Sequence, residues 1–76
     1  MYKIKINMDT QSDVMKVVEL AVSMGDKTTV YLEDNSGHCV NAKSLLGVMY
    51  GKVEFTELYL RSDSDKLGNV FREFMI

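Results

Sequence analysis

Few side chains in this sequence are of the types that perform chemistry. The only histidine and the only cysteine, His38 and Cys39, are adjacent. Neighbouring side chains on a strand point to opposite faces, so this pair does not form half of a zinc site, which needs converging ligands. We therefore predict no catalytic residue, no metal ligand and no cofactor.

A glycine and lysine pattern in the middle of the chain resembles a nucleotide-binding loop but is incomplete. Gly47, Gly51 and Lys52 resemble a phosphate-binding loop, but the spacing is one residue too short. Val53 also stands where that loop requires the serine or threonine hydroxyl. We expect no nucleotide site in this segment.

Ser44 has a type and position that suit a structural role. It precedes a run rich in leucine, valine and methionine. A serine directly before a helix accepts a hydrogen bond from a free backbone N–H and typically adds about 1 kcal/mol of stability. We predict that Ser44 is the N-cap of a short helix.

Composition narrows the classes of function. The chain has 76 residues, nine basic and eleven acidic side chains and a net charge of -2, so it lacks the basic field that nucleic-acid binding requires. No apolar run approaches the roughly 18 residues of a membrane span, and the first residues do not resemble a signal peptide. A single cysteine excludes an internal disulfide. We expect one domain, residues 1–76, in the reducing cytoplasm, with no nucleic-acid or membrane partner.

The first half of the chain alternates strand and helix patterns. A period-2 pattern predicts a first strand with inward Tyr2, Ile4, Ile6 and Met8. Possible N-caps lie between Asp9 and Asp13, and a helix follows that ends near Gly25. Its apolar stripe contains Val14, Val17, Val18, Ala21 and Met24.

The second half continues with a hairpin, a helix, a strand and a helix. The segments 28–32 and 39–41 are predicted strands joined by the turn at 34–37. A short helix is predicted from Ser44 to about Gly51, and a last strand over 57–61. Ser62 is the predicted N-cap of the final helix, whose stripe contains Leu67, Val70, Phe71 and Phe74.

This β-α-β-β-α-β-α order predicts an α+β fold. Single-stripe helices must cover one face of a four-stranded, mostly antiparallel sheet and leave the other face wetter. We therefore expect an open-faced β-sandwich.

One segment carries a family resemblance. Val40-Asn41-Ala42-Lys43-Ser44-Leu45-Leu46-Gly47-Val48-Met49 resembles the segment around the regulatory serine of HPr proteins, the phosphocarriers of the bacterial sugar phosphotransferase system. In that family an Asn-x-Lys-Ser-apolar-apolar-Gly-x-Met pattern leads into the short middle helix. Together with the element order, the resemblance covers the whole chain and implies a single HPr-like domain.

The sequence departs from the family at the phosphate-carrying site. HPr carriers place a Gly-x-His-Ala-Arg-Pro run between the first strand and the first helix, whereas this junction contains no histidine, arginine or proline. Thr10, Gln11 or Ser12 takes the place of the histidine, and none of them can form the phosphoramidate. A catabolite-repression relative of HPr carries glutamine there, which resembles Gln11, but it keeps the Arg-Pro pair. Asp9 and Asp13 also oppose an added phosphate.

The resemblance implies two further roles near the middle helix. Ser44 corresponds to the serine that a dedicated kinase phosphorylates in HPr, and a helix N-terminus with adjacent Lys43 suits a phosphate. Lys43, Leu45, Leu46 and Met49 are the predicted partner-docking residues, because the last three correspond to an apolar patch that the family uses to dock its partners. We expect two of these three apolar side chains to be partly exposed.

These observations predict a non-catalytic HPr-like module that regulates or binds proteins. The implied partners are a serine kinase, components of the phosphotransferase system or a transcriptional regulator. Two alternatives remain open at this stage. One is a phosphocarrier with an unusual acceptor near residues 10–12, and the other is an unrelated ferredoxin-like interaction module.

Overall fold

The computed structural model describes residues 1–76, which form one four-stranded antiparallel sheet with helices against one face. The α+β open-faced sandwich expected from the sequence is confirmed. The elements are β1 (Tyr2–Ile6), α1 (Gln11–Ser23), β2 (Val30–Glu33), β3 (Cys39–Asn41), α2 (Leu45–Glu54), β4 (Leu58–Ser62) and α3 (Leu67–Val70), followed by a 3-10 turn at Arg72–Phe74.

The strands are interleaved in the order β1-β4-β2-β3. β1 and β2 are both antiparallel to β4, so they run parallel to each other on either side of it. β3 and β4 flank β2 in the same way. The chain therefore contains two interlocked split β-α-β units, one closed by α1 and the other by α2.

The core lies between the helices and the inward face of the sheet. Gly51 of α2 lies against β2 so closely that an added Cβ atom would be 2.7 Å from Leu32 Cδ2. The predicted stripes of the first and last helices point into this layer. The buried apolar residues are Ile6, Met8, Val14, Val17, Ala21, Val30, Leu32, Ala42, Val48, Leu60, Leu67, Phe71 and Phe74.

The predicted start of the final helix is wrong. Ser62 is the last residue of β4, where it pairs with Tyr2 and Val30 and is fully buried. Its hydroxyl accepts a hydrogen bond from the Ser64 N–H (3.1 Å), so it caps a turn instead of a helix. Pairing with two neighbouring strands extends β4 to this residue, and α3 begins only at Leu67.

The predicted end of the middle helix is also wrong. α2 continues for three residues beyond Gly51, and the Phe55 N–H donates to the Gly51 carbonyl (2.8 Å). Gly51 lies inside the helix, at the point where the helix packs most closely on the sheet. A larger residue would prevent this packing, so the glycine serves the packing and not the helix end.

Two strand starts differ from the prediction by one or two residues, and β4 begins at Leu58 instead of Glu57. β2 begins at Val30 instead of Thr28, because the Thr29 N–H donates to the Asp63 carboxylate (3.1 Å) and not to a neighbouring strand. Tyr2 was expected to point into the core, but it is exposed at the start of β1.

The longest helix, α1, has 13 residues, and none of the helices combines the length and the apolar composition needed to cross a membrane.

Candidate functional site

The start of α1 is organised by a reciprocal capping box. The Thr10 hydroxyl accepts a hydrogen bond from the Asp13 N–H (3.1 Å), and the Asp13 carboxylate accepts one from the Thr10 N–H (3.1 Å). The same carboxylate oxygen also accepts from the Asp9 N–H (2.9 Å). These contacts satisfy the Asp13 amide of the first helical turn and the two amides before the helix, so fewer N–H groups remain for an anion at this helix start. Gln11 and Ser12 form the first exposed residues of the helix.

The electrostatics of this junction favour its carboxylates over an added phosphate. Hydrogen bonds from the backbone N–H groups of Asp9 and then Thr10 lower the pKa of Asp13 below its ordinary value of 3.8. A second carboxylate of the junction, that of Asp9, accepts a hydrogen bond from the Asn7 side-chain amide (2.8 Å). The junction therefore carries negative charge where residues 10–12 would have to receive phosphate.

Ser44 caps α2, as the sequence predicted. Its Oγ accepts a hydrogen bond from the Gly47 N–H (3.2 Å), and its carbonyl accepts the first helical bond, from the Val48 N–H (3.0 Å). The extended backbone of Ser44 (φ -101°, ψ 121°) is the conformation of an N-cap residue. Ser44 itself is exposed, so its hydroxyl can be reached from solvent.

Lys43 has a structural role that the sequence did not reveal. Its ammonium donates to the carbonyls of Gly25 (2.6 Å) and Thr28, in the loop that follows α1. A cation there complements the negative end of the α1 dipole. Because these partners lie 15 and 18 residues away in the chain, no local sequence signal could have indicated them.

The outward side of α2 is an apolar surface. Leu45, Leu46 and Met49 are exposed by 43%, 78% and 38%, so all three apolar members of the predicted docking set are accessible, where two were expected. The fourth member, Lys43, is half-buried, and its ammonium is bound to the Gly25 and Thr28 carbonyls. Tyr50 and Val53 extend this surface and were missed, although each lies four residues after a member of the predicted patch. We call these five side chains the α2 surface.

A shallow cleft joins the α2 surface to the start of α1. Its volume is about 280 Å³, and its lining includes Gln11, Met49 and Val53. Asp9 and Lys52 provide opposite charges at the same cleft. The structure thus brings Gln11 together with Met49, whereas Thr10, Ser12, Lys43 and Ser44 do not line it.

The histidine and cysteine lie outside this region. His38 Nδ1 is hydrogen-bonded to Ser36 Oγ (3.0 Å) in the turn before β3, and the Cys39 thiol is free. The structure contains no group of three or more histidine, cysteine, aspartate or glutamate side chains arranged to hold a metal ion.

Comparisons with known proteins give no relative from which a role can be transferred. No family model matches the chain, and no curated protein or solved structure is significantly similar to it. The functional proposal therefore rests on the α2 surface, the cleft, the two helix caps and the resemblance of residues 40–49 to the HPr pattern.

Proposed function

We propose that this chain is a non-catalytic HPr-like regulatory or protein-interaction module of the bacterial cytoplasm. It binds a protein partner through the α2 surface and the adjoining cleft. The observation that carries the proposal is the exposure of five large apolar side chains on one helix, next to Gln11. Contiguous exposed apolar side chains of this kind mark interaction sites on small proteins. Leu46, Met49 and Tyr50 supply both flexible and aromatic contacts.

The HPr resemblance supports this assignment and names the partners to test. The segment from Val40 to Met49 matches the family pattern, and its serine caps the middle helix as a regulatory serine at a helix start would. The proposed partners are a serine kinase of the HPr type, components of the phosphotransferase system and a transcriptional regulator.

The junction before α1 weighs against a phosphocarrier with an unusual acceptor. The Thr10 hydroxyl is engaged as the α1 cap, and Asp13 already accepts the N–H groups of Asp9 and Thr10. A phosphate on Ser12 would have to compete with that carboxylate for the same positive helix end.

Phosphorylation of Ser44 would act on the partner more than on the fold. A phosphate there adds a charge of about -1.5 to -2 next to the free N–H groups of α2. The ammonium of Lys43 is already bound to the Gly25 and Thr28 carbonyls, so it does not neutralise this charge. The phosphate is therefore presented to a partner with arginine or lysine and repels an acidic one.

Matched surface variants test the docking surface. Leu46→Gln and Val53→Gln change the two most exposed members of the α2 surface, and Val22→Gln changes an exposed apolar residue of α1 as the control. In titration calorimetry with the proposed partners, we expect each α2 variant to weaken binding at least about tenfold, the scale of a contact worth 1.4 kcal/mol. The control variant should bind like the wild type. Equal affinities for all four proteins, or no binding to any proposed partner, would contradict the proposal.

Mass spectrometry separates regulation from phosphate transfer. With ATP and an HPr-type serine kinase, the wild type should gain one phosphate and Ser44→Ala none. With phosphoenolpyruvate and enzyme I, neither protein should be labelled. Label on Thr10 or Ser12 would favour the unusual-acceptor alternative. Binding that is independent of every phosphotransferase component would favour a ferredoxin-like interaction module.

A further inference from the structure

The sheet face opposite the helices carries a cluster of basic and aromatic side chains, which we call the open face. Lys3 pairs across β1 and β4 with Arg61, and Arg61 pairs across β4 and β2 with Tyr31. Two residues further along β1, Lys5 pairs with Tyr59 of β4 in the same way. Cross-strand partners lie side by side on one face, so these five residues form a continuous surface.

The open face differs in charge from the rest of the molecule. It has three cations, Lys3, Lys5 and Arg61, against two carboxylates, Glu33 and Glu57, and a third carboxylate, Asp34, lies at its edge beside Thr56. The remainder of the chain has six basic and eight acidic side chains. The protein as a whole is therefore acidic, but this face is not.

Two of the cations, Lys3 and Arg61, lie nearer to the solvent than Glu33, the carboxylate that they bind. The Glu33 side chain is only 12% exposed, and it is held by Lys3 Nζ (3.3 Å) and Arg61 Nε (3.1 Å), whose side chains are 49% and 30% exposed. Arg61 uses only Nε in this pair, so its terminal amino groups stay available to a ligand. An approaching molecule meets the cations before it meets the buried carboxylate.

The two tyrosines hold these cations in place. Lys3 Nζ lies 4.7 Å from the centre of the Tyr59 ring, and the Arg61 guanidinium lies 5.0 Å from the centre of the Tyr31 ring. Cation–π contacts of this kind fix the direction of otherwise flexible side chains. The cations are therefore already arranged before a ligand arrives, which lowers the entropy cost of binding.

We propose that the open face binds an acidic segment of a protein partner, with its glutamate or aspartate carboxylates on Lys3, Lys5 and Arg61. Charge complementarity carries this choice of occupant. Since the open face lies on the side of the sheet opposite the helices, this site is separate from the α2 surface, and the module could hold two partners at once.

A single-stranded nucleic acid is less well suited to the same face. Base stacking needs free aromatic faces, and here cations lie over both rings. The net charge of -2 also gives no long-range attraction for a phosphate backbone.

Peptide binding followed by NMR of the amide signals tests the proposal. The probes are a ten-residue glutamate-rich peptide, the same peptide with glutamine at each glutamate, and a ten-residue oligothymidylate. The double variant Lys3→Gln/Lys5→Gln is compared with Lys16→Gln/Lys27→Gln, which removes two exposed lysines outside the open face. We expect the glutamate peptide to shift signals of β1, β2 and β4. Its affinity should fall about fivefold or more in the first variant only.

A gain-of-affinity variant separates the proposal from a loss of folding. Glu57→Gln removes the carboxylate paired with Lys5 (3.7 Å) and frees that ammonium, so the glutamate peptide should bind about twofold or more tighter. Equal binding of the glutamate and glutamine peptides, equal losses in both lysine variants, shifts confined to the helices, or tighter binding of the oligothymidylate would each overturn the proposal. Concentration-dependent shifts of β1, β2 and β4 without any peptide would do the same, because a second copy would then be the occupant.

Discussion

Replacing Ser44 by alanine tests the cap on which both the local structure and the proposed regulation depend. The substitution removes the acceptor of the Gly47 N–H and leaves every core contact in place, because Ser44 is exposed. Loss of a serine N-cap costs about 0.5–2 kcal/mol. The N···O distance of 3.2 Å is at the long end for a hydrogen bond, so we expect a cost near 1 kcal/mol.

Such a change is large for a domain of this size. For a chain of 76 residues, about 1 kcal/mol corresponds to a fall in Tm of roughly 4–8 °C. Ser44→Asp should keep most of the stability, because aspartate also caps and its charge complements the helix dipole. Ser12→Ala is the matched control, because it removes an exposed serine that makes no hydrogen bond, and its effect should stay within about 0.5 kcal/mol.

Urea unfolding curves with a shared slope measure these differences directly. Equal midpoints for the wild type and Ser44→Ala would show that the hydrogen bond to Gly47 contributes nothing. They would also remove the reason to expect a phosphate to be held at this helix start. A loss in Ser12→Ala as large as that in Ser44→Ala would show that any exposed serine has this effect.

Three further predictions concern packing, pH and phosphotransfer. Gly51→Ala should destabilise the domain by about 1–2 kcal/mol, because the new methyl group would lie 2.7 Å from buried Leu32. Gly68→Ala, whose methyl group would have no atom nearer than 3.9 Å, should stabilise the domain by about 0.5–1 kcal/mol. Urea midpoints that move in the same direction for both variants would refute this packing argument. The lowered pKa of Asp13 stabilises the folded state fully above the ordinary value of 3.8, and the contribution is lost as the pH falls through the folded pKa. The stability difference between the wild type and Asp13→Asn should therefore narrow as the pH falls below the ordinary value of 3.8, and a constant difference would contradict this assignment. Gln11→His should not accept labelled phosphate from enzyme I and phosphoenolpyruvate, since the junction lacks an arginine and contains Asp13; efficient labelling would refute our account of the junction.

Local sequence patterns determined the order of the elements and the Ser44 cap. The alternation of residues 4–8 and the helical stripes from Val14 and Leu67 predicted which side chains pack in the core, with Tyr2 the exception, because a helix or strand repeats its inward direction at a fixed period. Ser44 was predicted as a cap because an N-cap interaction spans only three residues. β3 was predicted with its observed bounds, since a hairpin turn fixes where the return strand starts.

Tertiary contacts decided what these patterns could not. Ser62 reads locally as a helix cap, but pairing with β1 and β2 keeps it in a strand. Gly51 resembles a helix end, yet α2 passes through it because the sheet lies directly beneath. Lys43 was predicted beside a regulatory serine, and carbonyls distant in the chain hold its ammonium instead. The charged open face likewise exists only because β1, β4 and β2 are neighbours, and strand order depends on long-range packing that no short segment of sequence encodes.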